Sequence, residues 1–96
     1  MPIRKRWSPK QRADKAPPKP GAYKLGNNRG SIQYIGRASN LKQRLQQHLV
    51  DPTKAPRVAR VRYAEGKDPA ALERQLMRRY QELHGGRLPP LNEQKP

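Results

Sequence analysis

The sequence predicts a small α/β domain: a three-stranded, mostly antiparallel sheet flanked by helices, preceded by a basic, proline-rich arm. Three observations carry that prediction. Two short segments of β-forming residues enclose a cluster of turn residues. A helical segment with leucines four apart follows them. A third, alternating segment then leads into the longest stretch of helical periodicity in the chain. With 96 residues there is room for one domain and little more. The expected division is an arm over residues 1–20 and one domain over residues 21–96.

The arm holds seven Lys/Arg, one acid and five prolines. Its run Lys15-Ala16-Pro17-Pro18-Lys19-Pro20 is expected to be extended and polyproline-like. Ser8-Pro9 is expected to open a short helix through about Lys15, with Ser8 as N-cap and Pro9 at the first helical position. Residues 22–25 supply Ala22, Tyr23 and Leu25, and residues 31–36 supply Ile32, Tyr34 and Ile35; all suit a pleated surface. Between them Gly26, Asn27, Asn28 and Gly30 favour a turn, so the pair reads as an antiparallel hairpin. Ser39 or Asn40 then caps a helix to about Val50, with Leu41, Leu45 and Leu49 on its buried face. Asp51-Pro52 ends it. Residues 52–57 read as a loop and residues 58–64 as the third strand, with Val61 and Tyr63 on its apolar face. Asp68 as N-cap and Pro69 at the first position start the longest helix. It runs to about His84 and stops at Gly85-Gly86. Leu72, Leu76, Tyr80 and Leu83 form its buried stripe, with Met77 beside them. The tail over residues 87–96 is expected to be extended.

Composition narrows the function. Only 32% of residues are apolar and Phe is absent, so the core must be small. Cysteine is absent, which excludes disulfides and thiolate metal sites. Two histidines, His48 and His84, do not make a structural zinc site. No apolar run approaches the roughly 18–20 residues of a membrane helix. No apolar segment follows the basic Met1-Pro2-Ile3-Arg4-Lys5-Arg6, so a secretory signal is not expected. The expectation is a soluble protein, cytoplasmic or nucleoid-associated, with no membrane partner. Twenty-two Lys/Arg against 7 Asp/Glu give a net charge of +15, which suits a polyanion, and nucleic acid is the commonest. Candidate DNA contacts are Arg4, Lys5 and Arg6 in the arm, and Arg37 and Lys42 after the hairpin. The arm reads either as a disordered solubilising segment or as one that follows a phosphate backbone, with Trp7 then stacking on a base or anchoring the arm to the domain. Charge alone gives binding and a salt dependence; it gives no reaction.

The chemistry lies in a set of short motifs. Gly21-Ala22-Tyr23 and Tyr34-Ile35-Gly36 flank the turn. Asn40-Leu41-x-x-Arg44 follows, then Leu72-Glu73 in the long helix and Leu91-Asn92 in the tail. In this order and spacing the set resembles the GIY-YIG nuclease domain, the family that includes the N-terminal half of the excinuclease ABC nuclease subunit and several homing and restriction endonucleases. The resemblance implies divalent-metal-dependent phosphodiester hydrolysis. Tyr23 matches the first-motif tyrosine, proposed to help activate the attacking water. Tyr34 matches the second-motif tyrosine, which contacts the phosphate or its water network. Arg44 matches the helix arginine that binds the scissile phosphate, and His48, one turn later, matches a histidine of some homing-type members. Glu73 matches the glutamate that holds a single metal, Mg²⁺ or Mn²⁺. Asn92 matches the late asparagine that braces the site. A phenol of pKa near 10 needs cationic neighbours or a metal-bound water to act as a base, and Arg37 and Arg44 are expected to supply that field. The chain departs from the family pattern at Ala22, which replaces a larger apolar residue. It departs also at Arg37, which stands where the excinuclease has lysine, and in a longer segment over residues 83–90.

Each residue also has an ordinary reading. Tyr23 and Tyr34 suit a small core, Arg44 a solvated surface, and His48 an exposed or half-buried helix position. Glu73 stands at the edge of an apolar stripe and is one of only 7 acids. Of the others, Asp14 and Glu93 lie in the tails and Asp51 and Asp68 punctuate helices, which leaves Glu65 and Glu82 as alternatives. A two-metal site wants clustered carboxylates; a single Mg²⁺ held by waters and one glutamate fits better. The expected function is therefore a DNA endonuclease with one active site that nicks. A homodimer or a targeting partner is expected if duplex breaks or delivery are needed. The alternative is a non-catalytic basic protein that binds DNA or ribosomal RNA. DNA repair, mobile-element movement and restriction remain open as settings.

Overall fold

Backbone pairing extends beyond the three expected strands. The computed structural model describes residues 8–9, 15–52 and 54–92. In chain order it contains β1 (Ser8–Pro9), β2 (Gly21–Gly26), β3 (Ile32–Ala38), α1 (Leu41–Val50), β4 (Arg60–Glu65) and α2 (Pro69–Leu83). The strands form one antiparallel sheet in the order β1-β4-β2-β3. Ser8 lies opposite Val61 and Pro9 opposite Arg60, so these two residues add an edge strand where a helix start was expected. Proline is tolerated there because an edge position need not donate to the ladder. Residues 10–14 of that expected helix, and the contacts proposed for Arg4, Lys5, Arg6 and Trp7, lie outside the described residues.

Local chemistry accounts for the hairpin. The Asn27 side-chain oxygen accepts from the backbone N–H of Arg29 (3.0 Å) and of Ser31 (2.9 Å), and Gly30 takes a φ of 82°. That left-handed conformation suits a residue without Cβ. The next strand begins at Arg60, two residues later than expected. A 3-10 turn at Ala55–Arg57 intervenes, and the Val58 N–H donates to the Ala55 carbonyl at 3.2 Å. Val58 is buried in the core from that turn.

Register sorts the side chains onto two faces. Tyr23 lies opposite Gly36 and Tyr63, and Leu25 opposite Tyr34 and Val61. Partners in an antiparallel pair point to the same side. On this face Leu41 and Leu45 of α1 pack with Tyr23, Leu25 and Val61. Leu49 and Tyr63 are only partly buried, and His48 is the buried residue of the last helical turn. The Asn40 side chain caps α1 by accepting from the Gln43 N–H at 3.0 Å. The first helical N–H groups have no partner within a helix. Here Leu41 donates to the Lys19 carbonyl (2.9 Å) and Lys42 to the Pro17 carbonyl (3.1 Å). Ala16 is buried in the same core. Residues 16–20 are thus part of the packed fold, and a boundary at residue 20 does not follow the packing.

Ala22, Ile35 and Ala64 are buried on the opposite face, where α2 packs against β2 and β3. Asp68 caps α2 by accepting from the Ala71 N–H at 3.1 Å, with Pro69 as the first helical residue. Of the expected stripe, Tyr80 is buried and Leu72, Leu76 and Met77 are half-buried. Leu83 is 66% exposed, because it forms the last turn of the helix rather than its packed middle. The tail returns to the sheet: the Leu91 N–H donates to the Gln33 carbonyl at 2.8 Å, and Pro89 and Leu91 are buried. Among the described residues no helix is long and apolar enough to cross a membrane.

Candidate active site

Gly36 makes room for the centre of the site. A Cβ there would lie 2.5 Å from the Tyr23 hydroxyl oxygen and 2.8 Å from a ring carbon of Tyr34. The glycine is needed so that both rings can lie against β3. The Tyr23 hydroxyl meets His48 Nε2 at 2.6 Å. The ring centroids of Tyr34 lie 6.1 Å from Tyr23 and 5.2 Å from His48, so the three rings form one cluster. β2 and β3 hold the two tyrosines by register, and α1 brings His48 over them.

Cations surround this cluster. Arg44, exposed on α1 one turn before His48, acts electrostatically on both Tyr23 and His48. Lys54 stands 5.1 Å above the Tyr34 ring and 3.5 Å from an Asp51 carboxylate oxygen. Sequence reasoning missed Lys54. It comes from a loop with no motif, and only the turn at Ala55–Arg57 and the bond to Asp51 bring it inward. Asp51, read as helix punctuation, does end α1, and it also holds this lysine.

Glu73 approaches from the other side of the sheet, on α2. Its carboxylate lies 3.7 Å from an Arg37 guanidinium nitrogen, and its charge reaches Tyr23. Arg37 was expected to lower the Tyr23 pKa; its guanidinium instead lies against Glu73, and Arg44 is the cation that acts on Tyr23. Lys42 is exposed on the first turn of α1. Asn92 mimics a strand. Its side-chain oxygen accepts from the Ile35 N–H at 2.8 Å, and its amide donates to the Ile35 carbonyl at 2.9 Å. It thereby ties the tail to the outer edge of β3, one residue from Tyr34 and Gly36.

Burial decides the protonation states. It pushes the Tyr23 phenol well above the usual range, with Tyr34 adding to the effect through its charge and a side-chain hydrogen bond; Arg44 opposes this and Glu73 adds to it. Tyr23 is a neutral phenol with no exposed surface. Tyr34 is the ring of the pair with exposed surface. Burial also lowers His48 to about 4, helped by Lys54 and Arg44 and opposed by Asp51. At neutral pH His48 is therefore uncharged, and its Nε2 is able to accept the Tyr23 proton. Among the described residues no three His, Cys, Asp or Glu side chains come together as a metal cage. The carboxylates within electrostatic reach of the rings are two, each partly exposed and beside a cation: Glu73 beside Arg37, and Asp51 beside Lys54. That set fits a hard ion that keeps most of its waters, as Mg²⁺ does.

Comparison with known proteins agrees with this architecture. Residues 1–83 match the profile of a family described as a domain of unknown function (DUF7508). No curated protein matches the chain. Among solved structures the chain is similar to the GIY-YIG N-terminal endonuclease domain of UvrC from Thermotoga maritima bound to its catalytic magnesium. Identity is 24% and the TM-score 0.64, over 74% of this chain and 88% of that one. Two tyrosine-to-phenylalanine mutants of the same domain, bound to the catalytic divalent cation, match at 23% and 22% identity. Each gives a TM-score of 0.66 over 88% of this chain and 93% of that one. At such identities the likeness establishes the fold, which is that of a GIY-YIG domain.

Proposed function

The chain belongs to the DUF7508 family and has the GIY-YIG fold, and from that premise we propose that it is a divalent-metal-dependent DNA endonuclease that hydrolyses one phosphodiester bond per event and so nicks. The observation that carries the proposal is the contact between the buried Tyr23 hydroxyl and neutral His48, with Tyr34, Arg44 and Lys54 around it and Glu73 within electrostatic reach. A purely structural core would not need a polar dyad surrounded by cations in its centre.

In the proposed reaction Arg44 grips the scissile phosphate with its planar fork, and Lys54 adds a second positive charge. The attacking water forms the new P–O bond while the P–O bond to the leaving oxygen breaks. The water proton passes to the Tyr34 oxygen, the Tyr34 proton to Tyr23, and the Tyr23 proton to His48 Nε2. The leaving oxygen takes its proton from solvent, and His48 later returns one to solvent. His48 is a weak base in the free protein because burial disfavours its charged form and Lys54 and Arg44 face it; a bound phosphate neutralises those cations and strengthens it. Glu73 would hold the metal, which when bound supplies Lewis-acid polarisation of a phosphoryl oxygen. The proposed setting is the cytoplasm or the nucleoid.

Incubation with supercoiled plasmid, with and without Mg²⁺ or Mn²⁺, tests the reading. Relaxed circles are expected only with the ion, and none from Glu73→Gln, whose DNA affinity should stay equal or rise slightly. A basic binder without catalysis would leave the plasmid supercoiled under every condition. Wild-type nicking by Glu73→Gln would remove Glu73 from the metal site.

A further inference from the structure

The C-terminal end of α2 carries a second ring pair that the proposed reaction does not use. The Tyr80 and His84 rings are stacked, with centroids 3.8 Å apart and planes 12° from parallel. His84 Nδ1 lies 2.8 Å from the Tyr80 carbonyl oxygen. A carbonyl only accepts, so Nδ1 carries the proton and the imidazole is locked in place. Tyr80 is buried and His84 exposed. The two rings line an open cavity of about 420 Å³ together with Arg87, Leu88 and Pro90. This is a rigid aromatic platform beside a cation, and its ordering cost has been met before any ligand arrives.

We propose that this platform is a subsite for an unpaired nucleobase of the DNA strand that is cut. The inference rests on the endonuclease reading above and deepens it by naming the substrate class, DNA with unpaired nucleotides near the cut. Glu73, Met77 and Tyr80 follow one another at spacings of four and three, which aligns them along one side of α2, and His84 is the residue that caps its C-terminal end. At 1.5 Å per residue Tyr80 lies about 10 Å and His84 about 16 Å beyond Glu73 along the helix axis. At about 3.4 Å per nucleotide this is roughly three to five nucleotides along one strand of a duplex. A strand whose scissile phosphate is gripped by Arg44, with Glu73 within electrostatic reach of the site, and which runs on along α2 would reach the platform a few nucleotides from the cut. A paired base has both faces covered by its neighbours, so only an unpaired one can extend the Tyr80–His84 stack. Arg87 would meet its phosphate or lie over its face.

Fluorescence of a single-stranded oligonucleotide carrying 2-aminopurine tests this, without divalent ion so that nothing is cut. The wild-type protein should quench the probe by stacking. His84→Ala should lose that quenching and bind the single strand about tenfold more weakly, with duplex affinity and thermal stability unchanged. His84→Phe should restore the quenching. Equal quenching by His84→Ala, a parallel loss of duplex affinity, or no restoration by His84→Phe would each overturn the proposal and leave the cavity to a protein partner or to no ligand. Because cleavage is not read, a failure of nicking and a failure of stacking remain distinguishable.

Discussion

Arg44 and His48 stand one turn apart on α1, the first exposed and the second buried, and they carry the clearest single-residue predictions. In the proposed reaction Arg44 faces developing negative charge, so Arg44→Ala should lower kcat by a factor on the order of 10²–10³. Overall DNA affinity should change only a few-fold, because the chain's positive charge is spread over 22 Lys/Arg. Arg44→Lys should recover little, since a point charge does not replace a planar fork. A folded Arg44→Ala protein with normal turnover would exclude Arg44 from catalysis. His48 titrates at about 4 in the fold, against about 6.5 in an unfolded chain. Between these values the unfolded state binds more protons, so stability is lost as pH falls from about 6.5 to 4. His48→Gln should flatten the dependence of Tm on pH across that window. An identical slope in the mutant would show that His48 is not held neutral.

Two segments without regular structure, one before β2 and one after α2, hold the site-bearing elements. Lys19 and Pro17 carbonyls take the first N–H groups of α1, and Ala16 fills the core beside Leu41. The Pro20 carbonyl also accepts from the Gly66 N–H at 3.0 Å, so deleting residues 1–20 should cost about 3–5 kcal/mol, from three broken hydrogen bonds and a small cavity. Deleting residues 1–15 spares these interactions and should lower Tm much less in a melting experiment. At the other end Asn92 satisfies both backbone groups of Ile35. Asn92→Ala leaves them without that partner, so a loss of about 1–3 kcal/mol is expected. Turnover should fall as well, since Tyr34 and Gly36 flank Ile35 on β3. Full activity in Asn92→Ala would show that the brace is not needed.

For the molecule as a whole, the net charge of +15 should set how it meets the DNA proposed as its substrate. Deleting residues 1–15 removes six basic residues and one acid. If these neutralise phosphates, the slope of log affinity against log salt should flatten by several units, at about 0.9 for each phosphate no longer neutralised on duplex DNA. Turnover at saturating DNA should survive, because the proposed catalytic groups lie elsewhere. An unchanged slope in a salt titration would make the arm a spectator.

The hairpin, both long helices and their caps are legible in the amino-acid order alone, because they follow from short-range rules. Asn27 and Gly30 make the turn, Asn40 and Asp68 cap α1 and α2, and leucine spacing marks the buried face of α1. The motif set likewise points to Tyr23, Tyr34, Arg44, His48, Glu73 and Asn92 without any knowledge of their positions in space. Which of them touch was settled by packing. Burial against α1 made Tyr23 a neutral, enclosed phenol and His48 its neutral partner. The folded chain turned Arg37 toward Glu73, brought Lys54 over Tyr34 from a loop without a motif, and drew Ala16 into the core. Ser8 and Pro9 became a strand because β4 offered an edge to pair with. Desolvation and long-range pairing depend on neighbours distant in sequence, and no local pattern of residues encodes them.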